Sequence, residues 1–314
     1  MILIHHDQPE RCARSVRAFQ TQAGVSGVWV VESSARSSSR RRLRQLLTGR
    51  AGAAPNDPVG AWPVVEILEA GGNVGFGPGA NVGLRRWLEA GTGEWVGVAP
   101  HDAEPGIDCV ARLLAEVDGR PDAGLVSAEF GPDFALVPVY DHVLGGYYRA
   151  AVRGDGWQDV DYPHGTLLLA RRAALDAVGL FDERYFAYCE EVDLGLRARR
   201  AGWGVGLVWG ATVANGRLPA RPVADYLQLR NTLLLVDTHE TSKEVRARLI
   251  LAGAHHGAQI ARAQTGSLSR ARLALRAAID HRRGRYGPPP AWVGALDAPV
   301  ERPTAPVACV HARR

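Results

Sequence analysis

Three acidic residues crowd into four positions at Glu190, Glu191 and Asp193. Carboxylates this close repel one another, so one can hold its proton to a higher pH than usual and serve as a general base. They open an apolar-periodic helix that runs to about Arg200, and part of the crowding is ordinary, because acids favour helix N-termini. The excess over a single cap is the functional signal. Phe181, Tyr185, Phe186 and Tyr188 come just before them and supply walls for a partly dry pocket. A second candidate is Asp102, just past the apolar run Trp95–Ala99. A carboxylate at a strand end can hold a hard divalent cation, which in turn neutralises a diphosphate. The plainer role for a lone Asp there is a turn or a helix cap. The third feature is the run Gly71-Gly72-Asn73-Val74-Gly75-Phe76-Gly77-Pro78-Gly79-Ala80-Asn81. Glycines at that density let the backbone come close to a ligand. Gly75, Gly77 and Ala80 meet the G-x-G-x-x-G/A spacing of dinucleotide sites, but the run follows the third strand pattern rather than the first. Pro78 also removes a backbone donor, so a dinucleotide-dependent oxidoreductase is disfavoured.

These residues need a frame. Strand and helix patterns alternate for about 130 residues, in the manner of α/β units. Strands are expected at Ile2–His5, Val28–Val31, Val64–Leu68, Trp95–Ala99 and Gly124–Ala128. Helix faces between them are marked by Cys12, Val16 and Phe19, by Ala80, Leu84, Trp87 and Leu88, and by Leu113, Leu114 and Val117. The result is a mostly parallel, Rossmann-like sheet with helices on both faces, whose ligands bind beyond the carboxyl ends of the strands. Ser33 to Pro58 reads as a solvated, arginine-rich loop with one short helix. Pro132 to Asp161 reads as a long connection whose aromatics suit a lid or acceptor wall. After Arg217 the pattern turns helical, with helices expected over Tyr226–Val236, Lys243–Ala263 and Ser269–Arg285. The division expected is therefore 1–216 for the sheet domain, 217–285 for a helical extension, and 286–314 for a proline-rich disordered tail.

Composition narrows the classes. The chain has 314 residues with 46% hydrophobic and 22% charged, enough for one large domain with an appendage. A net charge of +4 does not call for nucleic acid. Cys12, Cys109, Cys189 and Cys309 are far apart and read as free thiols of a reducing compartment. No apolar run reaches the length of a membrane span, and the first residues read as a strand rather than a signal peptide, so a cytoplasmic location is expected. Seven arginines lie between Arg262 and Arg285 against the single acid Asp280. They form a solvated face or a peripheral contact with anionic lipid at the inner membrane face. A homodimer stays open.

In four ordered segments the chain resembles the inverting family 2 glycosyltransferases of GT-A fold, and among them the bacterial rhamnosyltransferase-like branch. The segments are Ile2–His6 through Glu32-Ser33-Ser34, Asn73–Leu84, Pro100-His101-Asp102, and Gly165–Trp203 with its Phe181-Asp182-Glu183 and Glu190-Glu191-Val192-Asp193 runs. Arg230-Asn231 resembles a recurrent pair in the helix that follows. The resemblance covers roughly residues 1 to 235. It implies an enzyme that moves a sugar from a nucleoside-diphosphate sugar, dTDP-rhamnose or a UDP-sugar, to a glycan, lipid-linked saccharide or small-molecule hydroxyl. It also implies that His5, His6, Glu32, Asn73, Phe76, Gly77, Gly79 and Arg230 bind the nucleotide sugar and that Asp102 meets Mg2+ or Mn2+. Glu191 would be the base, with Glu190 and Asp193 beside it. A structural salt bridge is the competing role for Arg230. The chain departs from the family at Pro100, where the metal motif has an acid, at Asn215, where a His is frequent, and at Glu32 and Glu191, each one methylene longer than the usual Asp. Those departures motivate a second reading, a family member that binds nucleotide sugar or a partner without turnover.

Overall fold

The computed structural model describes residues 1–48, 64–130, 135–216, 222–262, 264 and 266–296. The chain begins β1 (Ile2–His5), α1 (Pro9–Gln20), β2 (Gly27–Glu32), α2 (Ser37–Thr48), β3 (Val64–Glu69), α3 (Phe76–Ala90) and β4 (Trp95–Pro100). β5 (Glu104–Pro105), α4 (Cys109–Asp118) and β6 (Ala123–Phe130) follow, then β7 (Leu136–Asp141), β8 (Gly145–Ala150), β9 (Gly156–Asp159) and β10 (Leu168–Arg171). α5 (Arg172–Val178), α6 (Glu190–Arg200) and β11 (Gly204–Ala214) complete the sheet region. The last elements are α7 (Pro222–His239), α8 (Ser242–Ala261), α9 (Ser267–Arg282) and α10 (Ala291–Ala295).

The main sheet runs β3-β2-β1-β4-β10-β6-β11-β5, with β9 also on β11. β3, β2, β1 and β4 are mutually parallel, as are β6 and β11. β1 is buried along its whole length, which explains its unbroken apolar run. Its side chains alternate between two cores. Leu3 joins Cys12, Val16 and Phe19 of α1 on one face, while Ile2 and Ile4 join Ala80, Leu84 and Trp87 of α3 on the other. Two glycines set how close α3 lies. A Cβ at Gly79 would stand 3.0 Å from Ile4 Cγ2, and one at Gly83 only 2.5 Å from Ile2 Cγ2. Part of the glycine run is thus a helix-on-sheet contact stripe.

The structure differs from the sequence expectation in three places. β10 is an antiparallel strand wedged between β4 and β6, in a segment whose four residues carry no alternation to announce it. The connection from residue 132 contains an antiparallel hairpin, β7–β8, turned at Asp141, whose Oδ1 accepts from the backbone N of Val143 and Leu144 at 2.8 and 2.7 Å. Pro288-Pro289-Pro290 does not end the fold. Val293 of α10 is fully buried against the third core, with Tyr226, Leu229 and Leu233 of α7 and Leu273 and Ala277 of α9. The remainder of the expected tail, 297–314, lies outside the described residues. The short helix expected after Ser33 is α2, and Arg36, Arg42 and Arg44 there pair with Asp7, Glu10 and Glu69. No helix among the described residues is long and apolar enough to cross a membrane.

Candidate active site

Parallel register brings the carboxyl ends of β1, β2 and β4 into one row. His5 stands directly opposite Glu32, and Ile4 opposite Pro100. His5 Nδ1 meets Glu32 Oε2 at 2.8 Å, and the backbone N of Gln8 donates to His5 Nε2 at 3.2 Å, which places the ring proton on Nδ1. Burial pushes the Glu32 carboxyl up, but hydrogen bonds from His5 and Ser34 outweigh it and hold the group below its ordinary value. Both side chains are closed to solvent, with 0% and 2% exposure. They act as the fixed floor of the cleft rather than as its lining. His6, half-buried, bonds through Nδ1 to Ser33 O at 3.2 Å. Ser33 Oγ donates to Gly72 O at 2.9 Å and accepts from Val74 N at 3.2 Å, seating the glycine loop on the end of β2. Gly71 and Gly72 have nothing within 4 Å of a would-be Cβ, so this part of the loop is open to a ligand. Asn73 is exposed and Phe76 half-buried. Gly77 and Gly79, by contrast, are buried; a Cβ at Gly77 would stand 3.4 Å from Glu190 Cβ, an ordinary contact, while one at Gly79 would press on Ile4 at 3.0 Å. At Gly79 the close packing of α3 on β1 is itself a reason for glycine.

The loop entering α6 is strained. Phe186, Tyr188 and Cys189 have φ of 66°, 71° and 71°, three of the four non-glycine residues with positive φ among those described. Each such residue costs on the order of 1–3 kcal/mol, so neighbouring contacts must enforce it. Asn231 of α7 does so. Its Nδ2 donates to Tyr185 O, Ala187 O and Tyr188 O at 2.8, 2.7 and 2.8 Å. Arg230 supports it, donating to Tyr185 O at 3.3 Å and to Asn231 Oδ1 at 3.0 Å, with its guanidinium 5.4 Å from the Tyr226 ring centroid. Arg230 is 0% exposed. The structure places it beneath the loop, with carbonyl and amide oxygens and the Tyr226 side chain as its partners. On the other side, Phe186 O accepts from Phe76 N at 2.7 Å, and a Cβ at Gly75 would sit 2.2 Å from that oxygen.

The strained loop delivers the three acids to different surroundings. Glu190 is 4% exposed, and its Oε2 is buried without a hydrogen-bond partner. Burial and the neighbouring Glu191 push it well up from the ordinary carboxylate range. Glu191 is half-buried, and burial pushes it up to about 7. Its Oε1 lies 3.7 Å from the Cβ position of Gly165, so the carboxylate faces the backbone there. Tyr148 of the hairpin and Tyr162, whose phenols are both raised by burial first and Glu191 among the further causes, flank it. Tyr148 also packs on Phe130 and His164, which are stacked at 3.6 Å. Asp193 turns away. It accepts from Arg197 at 2.8 Å and from His239 Nε2 at 2.9 Å. Burial raises it, but His239 and Arg197 together hold it below its ordinary value. Asp193 is thus an anchor of α6 to α7, not a third acid in the pocket.

No family model matches the chain. It is 30% identical over 231 residues to an N-acetylglucosaminyl-diphospho-decaprenol L-rhamnosyltransferase of Mycobacterium tuberculosis, a match covering 61% of this chain and 73% of the relative. The chain belongs to the family 2 glycosyltransferases of GT-A fold, in the rhamnosyltransferase-like branch. A hexosyltransferase of low-salt glycan biosynthesis, Agl10 of Haloferax volcanii, is 25% identical over 151 residues, 45% of this chain and 48% of the relative. Among solved structures, GalNAc-T7 with UDP, GalNAc and Mn2+ aligns with a TM-score of 0.58 at 12% identity, covering 75% of this chain and 47% of that one. The mannosyltransferase PcManGT of Pyrobaculum calidifontis, with GDP-Man and Mn2+, aligns at 0.56 and 15%, covering 90% and 81%. These two likenesses speak for the fold.

In this glycosyltransferase the metal corner is thin. Among the described residues no three His, Cys, Asp or Glu side chains come together to hold an ion. Asp102 is the acid at the end of β4, and the Arg11 guanidinium stands 3.8 Å from its Oδ2. Gly216, after β11, makes space for both: a Cβ there would lie 2.6 Å from Arg11 Nη1 and 3.1 Å from Asp102 Oδ2. Asn215, the residue before Gly216, is exposed. The side chains present do not make a metal cage, and an arginine already faces the one carboxylate. His101 Nδ1 faces Ile4 O at 3.2 Å while its Nε2 is buried without a partner, and burial lowers the ring to about 4.

Sequence reading passed over two positioning residues of the glycosyltransferase, Asn231 and Asn81. Asn81 Nδ2 donates to Phe181 O at 2.9 Å, and its Oδ1 accepts from Phe181 N at 3.1 Å. Arginine drew the attention in Arg230-Asn231, although an amide, with donor and acceptor together, is the better bracket for a loop.

Proposed function

We propose that this glycosyltransferase moves a sugar, with rhamnose favoured by the branch, from a nucleoside-diphosphate donor to an acceptor hydroxyl with inversion, and that Glu191 is the base. The observation that carries this reading is Glu191 itself. It is a half-buried carboxylate raised by burial to about 7, facing Gly165 at contact distance and beside an aromatic wall. A base is most effective when its proton affinity matches the working pH. Glu191 takes the proton of the acceptor hydroxyl. The freed oxygen attacks the anomeric carbon as the bond from that carbon to the diphosphate oxygen breaks, and the nucleoside diphosphate leaves with the electron pair.

The nucleoside diphosphate lies over the row of strand ends, against His6, the open Gly71–Gly72 turn and the exposed Asn73. His5 and Glu32 act as a rigid floor beneath. Because the donor set does not fit a protein-held metal, no step here runs through one. Arg11 supplies the positive charge beside the diphosphate, and Asp102 orients that guanidinium. The acceptor enters along Tyr148 and Tyr162. The Mycobacterium tuberculosis relative is named for a sugar carried on a lipid diphosphate, and an acceptor of that class is the one proposed.

Calorimetric titration with dTDP, UDP and GDP, with manganese or with a chelator, tests the donor side. Binding of one nucleotide with a chelator present is expected, followed by transfer from its rhamnosyl or hexosyl derivative. Absence of binding to all three sinks the proposal. Binding without transfer, across lipid-linked and soluble acceptors, points to a member without turnover.

A further inference from the structure

Beyond the cleft, a cavity of about 300 Å³ lies among α7, α8 and α9. That is the size of a small-molecule site. Arg248 and Arg270 line it together with His255, His256, Gln228 and Asp225. Two of these groups are incomplete. Arg248 Nε and His256 Nδ1 are buried and have no hydrogen-bond partner. An unpaired donor of a guanidinium held out of water is costly, and an anion is the partner that relieves it. The neighbouring groups are already ordered. Gln259 bonds His255 Nε2 at 2.8 Å, and Arg270 Nε donates to Gln259 Oε1 at 3.3 Å. Two guanidiniums outnumber the one carboxylate, Asp225.

The cavity also has a direction. Arg248 lies near Cys189, the residue before the Glu190–Glu191 pair, whose thiol burial keeps protonated. The strained loop packs on the same helices, with Phe186 and Ala187 in one cluster with Val245, Ala252 and Ala274. None of the described residues of α8 is buried, and Ile250 is 70% exposed, with Leu268 and Leu275 of α9 at 61% and 64%. A cationic hollow on helices that also carry exposed apolar side chains suits an anion that bears an apolar chain.

We infer that this cavity is a second anion site, separate from the nucleotide cleft, that takes the diphosphate of the acceptor. Its assignment to the acceptor rests on the glycosyltransferase reading; its affinity for a diphosphate does not.

The test uses the full chain with the nucleotide cleft saturated by its nucleoside diphosphate, and inorganic pyrophosphate as the probe. Wild type is expected to bind pyrophosphate, and Arg248→Gln combined with Arg270→Gln to weaken that binding at least tenfold. Gln228→Glu, which adds a charge of the wrong sign at a partly solvated wall, should do the same without removing an arginine. Nucleoside diphosphate affinity should stay unchanged in all variants, and its absence in wild type would count against the glycosyltransferase reading alone. Phosphatidylcholine vesicles doped with a polyprenyl diphosphate or with phosphatidylglycerol separate the sources. Capture by the first only, lost in the double variant, assigns a lipid-linked diphosphate. Equal capture by both assigns general headgroup binding and overturns the acceptor assignment. Absent pyrophosphate binding in wild type, or unchanged binding in the variants, overturns the site.

Discussion

The row of strand ends and the loop that carries the proposed base are built by opposite means. The floor is made by register: β1, β2 and β4 lie parallel, so His5, Glu32 and Pro100 come together as a consequence of sheet pairing. Its buried polar groups complete one another, and the described backbone of β1, β2 and β4 is free of positive φ. The loop is made by force. Three residues in a row of four take left-handed backbone, and an asparagine 42 or more positions away in sequence holds them there. A sheet end is a rigid place to hold a nucleotide. A strained loop is a way to hold an adjacent carboxylate pair where burial raises its proton affinity.

The comparison breaks first at Asn231. Asn231→Ala removes three hydrogen bonds to the loop, worth about 3 kcal/mol together. Displacing the base by about an ångström costs on the order of 100-fold in turnover. Turnover and thermal stability should fall while nucleotide affinity stays within about twofold. A parallel loss of affinity would show that loop and floor are one unit. The floor is broken by Glu32→Ala, which leaves the His5 ring proton buried without its acceptor. That costs about 1.4 kcal/mol or more, equivalent to roughly tenfold in nucleotide affinity, with the rate of the saturated enzyme little changed. Equilibrium titration beside saturating kinetics separates these effects. Arg11→Gln is expected to weaken nucleotide binding by about fivefold to tenfold in the presence of chelator. Full affinity in that variant with chelator present would take the diphosphate charge away from Arg11.

The smallest effect sharpens the comparison by sign. Glu190 and Glu191 both hold protons to higher pH in the folded chain than when unfolded. Between the ordinary value of 4.5 and about 7 the native state binds more protons, so stability falls as pH rises through that window. Glu190→Gln removes one of the charges being forced together. It should raise stability by on the order of 1 kcal/mol above pH 7 and by less below pH 5. Asp193 has the opposite sign, since its lowered value contributes stability that is lost on acidification. Denaturant midpoints at three pH values check both.

The same contrast explains what could be read from sequence. The floor was legible because period and strand order dictate it: the runs at Ile2–His5, Val28–Val31 and Trp95–Ala99 became β1, β2 and β4 with ends shifted by at most one residue. Glu190 and Glu191 were legible as a pair because adjacent acids exceed what a cap needs. Asp193 was not, because its partners Arg197 and His239 neutralise it only once α6 lies against α7. The surroundings of Arg230 were hidden for a related reason, since a guanidinium in a helix reads the same from sequence whether it faces a phosphate or a carbonyl. Gly79 reads from sequence as a ligand-binding glycine, yet the tight contact at its Cβ position belongs to Ile4. β10 and the β7–β8 hairpin were missed because tertiary pairing, not local pattern, makes those segments strands.

Glu191→Gln is the most direct measurement, read as the pH dependence of transfer beside nucleotide affinity. In the wild type kcat/KM should rise through about pH 7 as Glu191 loses its proton. The variant should lose about 1,000-fold in turnover and that rising limb, with nucleoside diphosphate bound as in the wild type. Wild-type turnover in Glu191→Gln, or an unchanged pH profile, would contradict the assignment of the base.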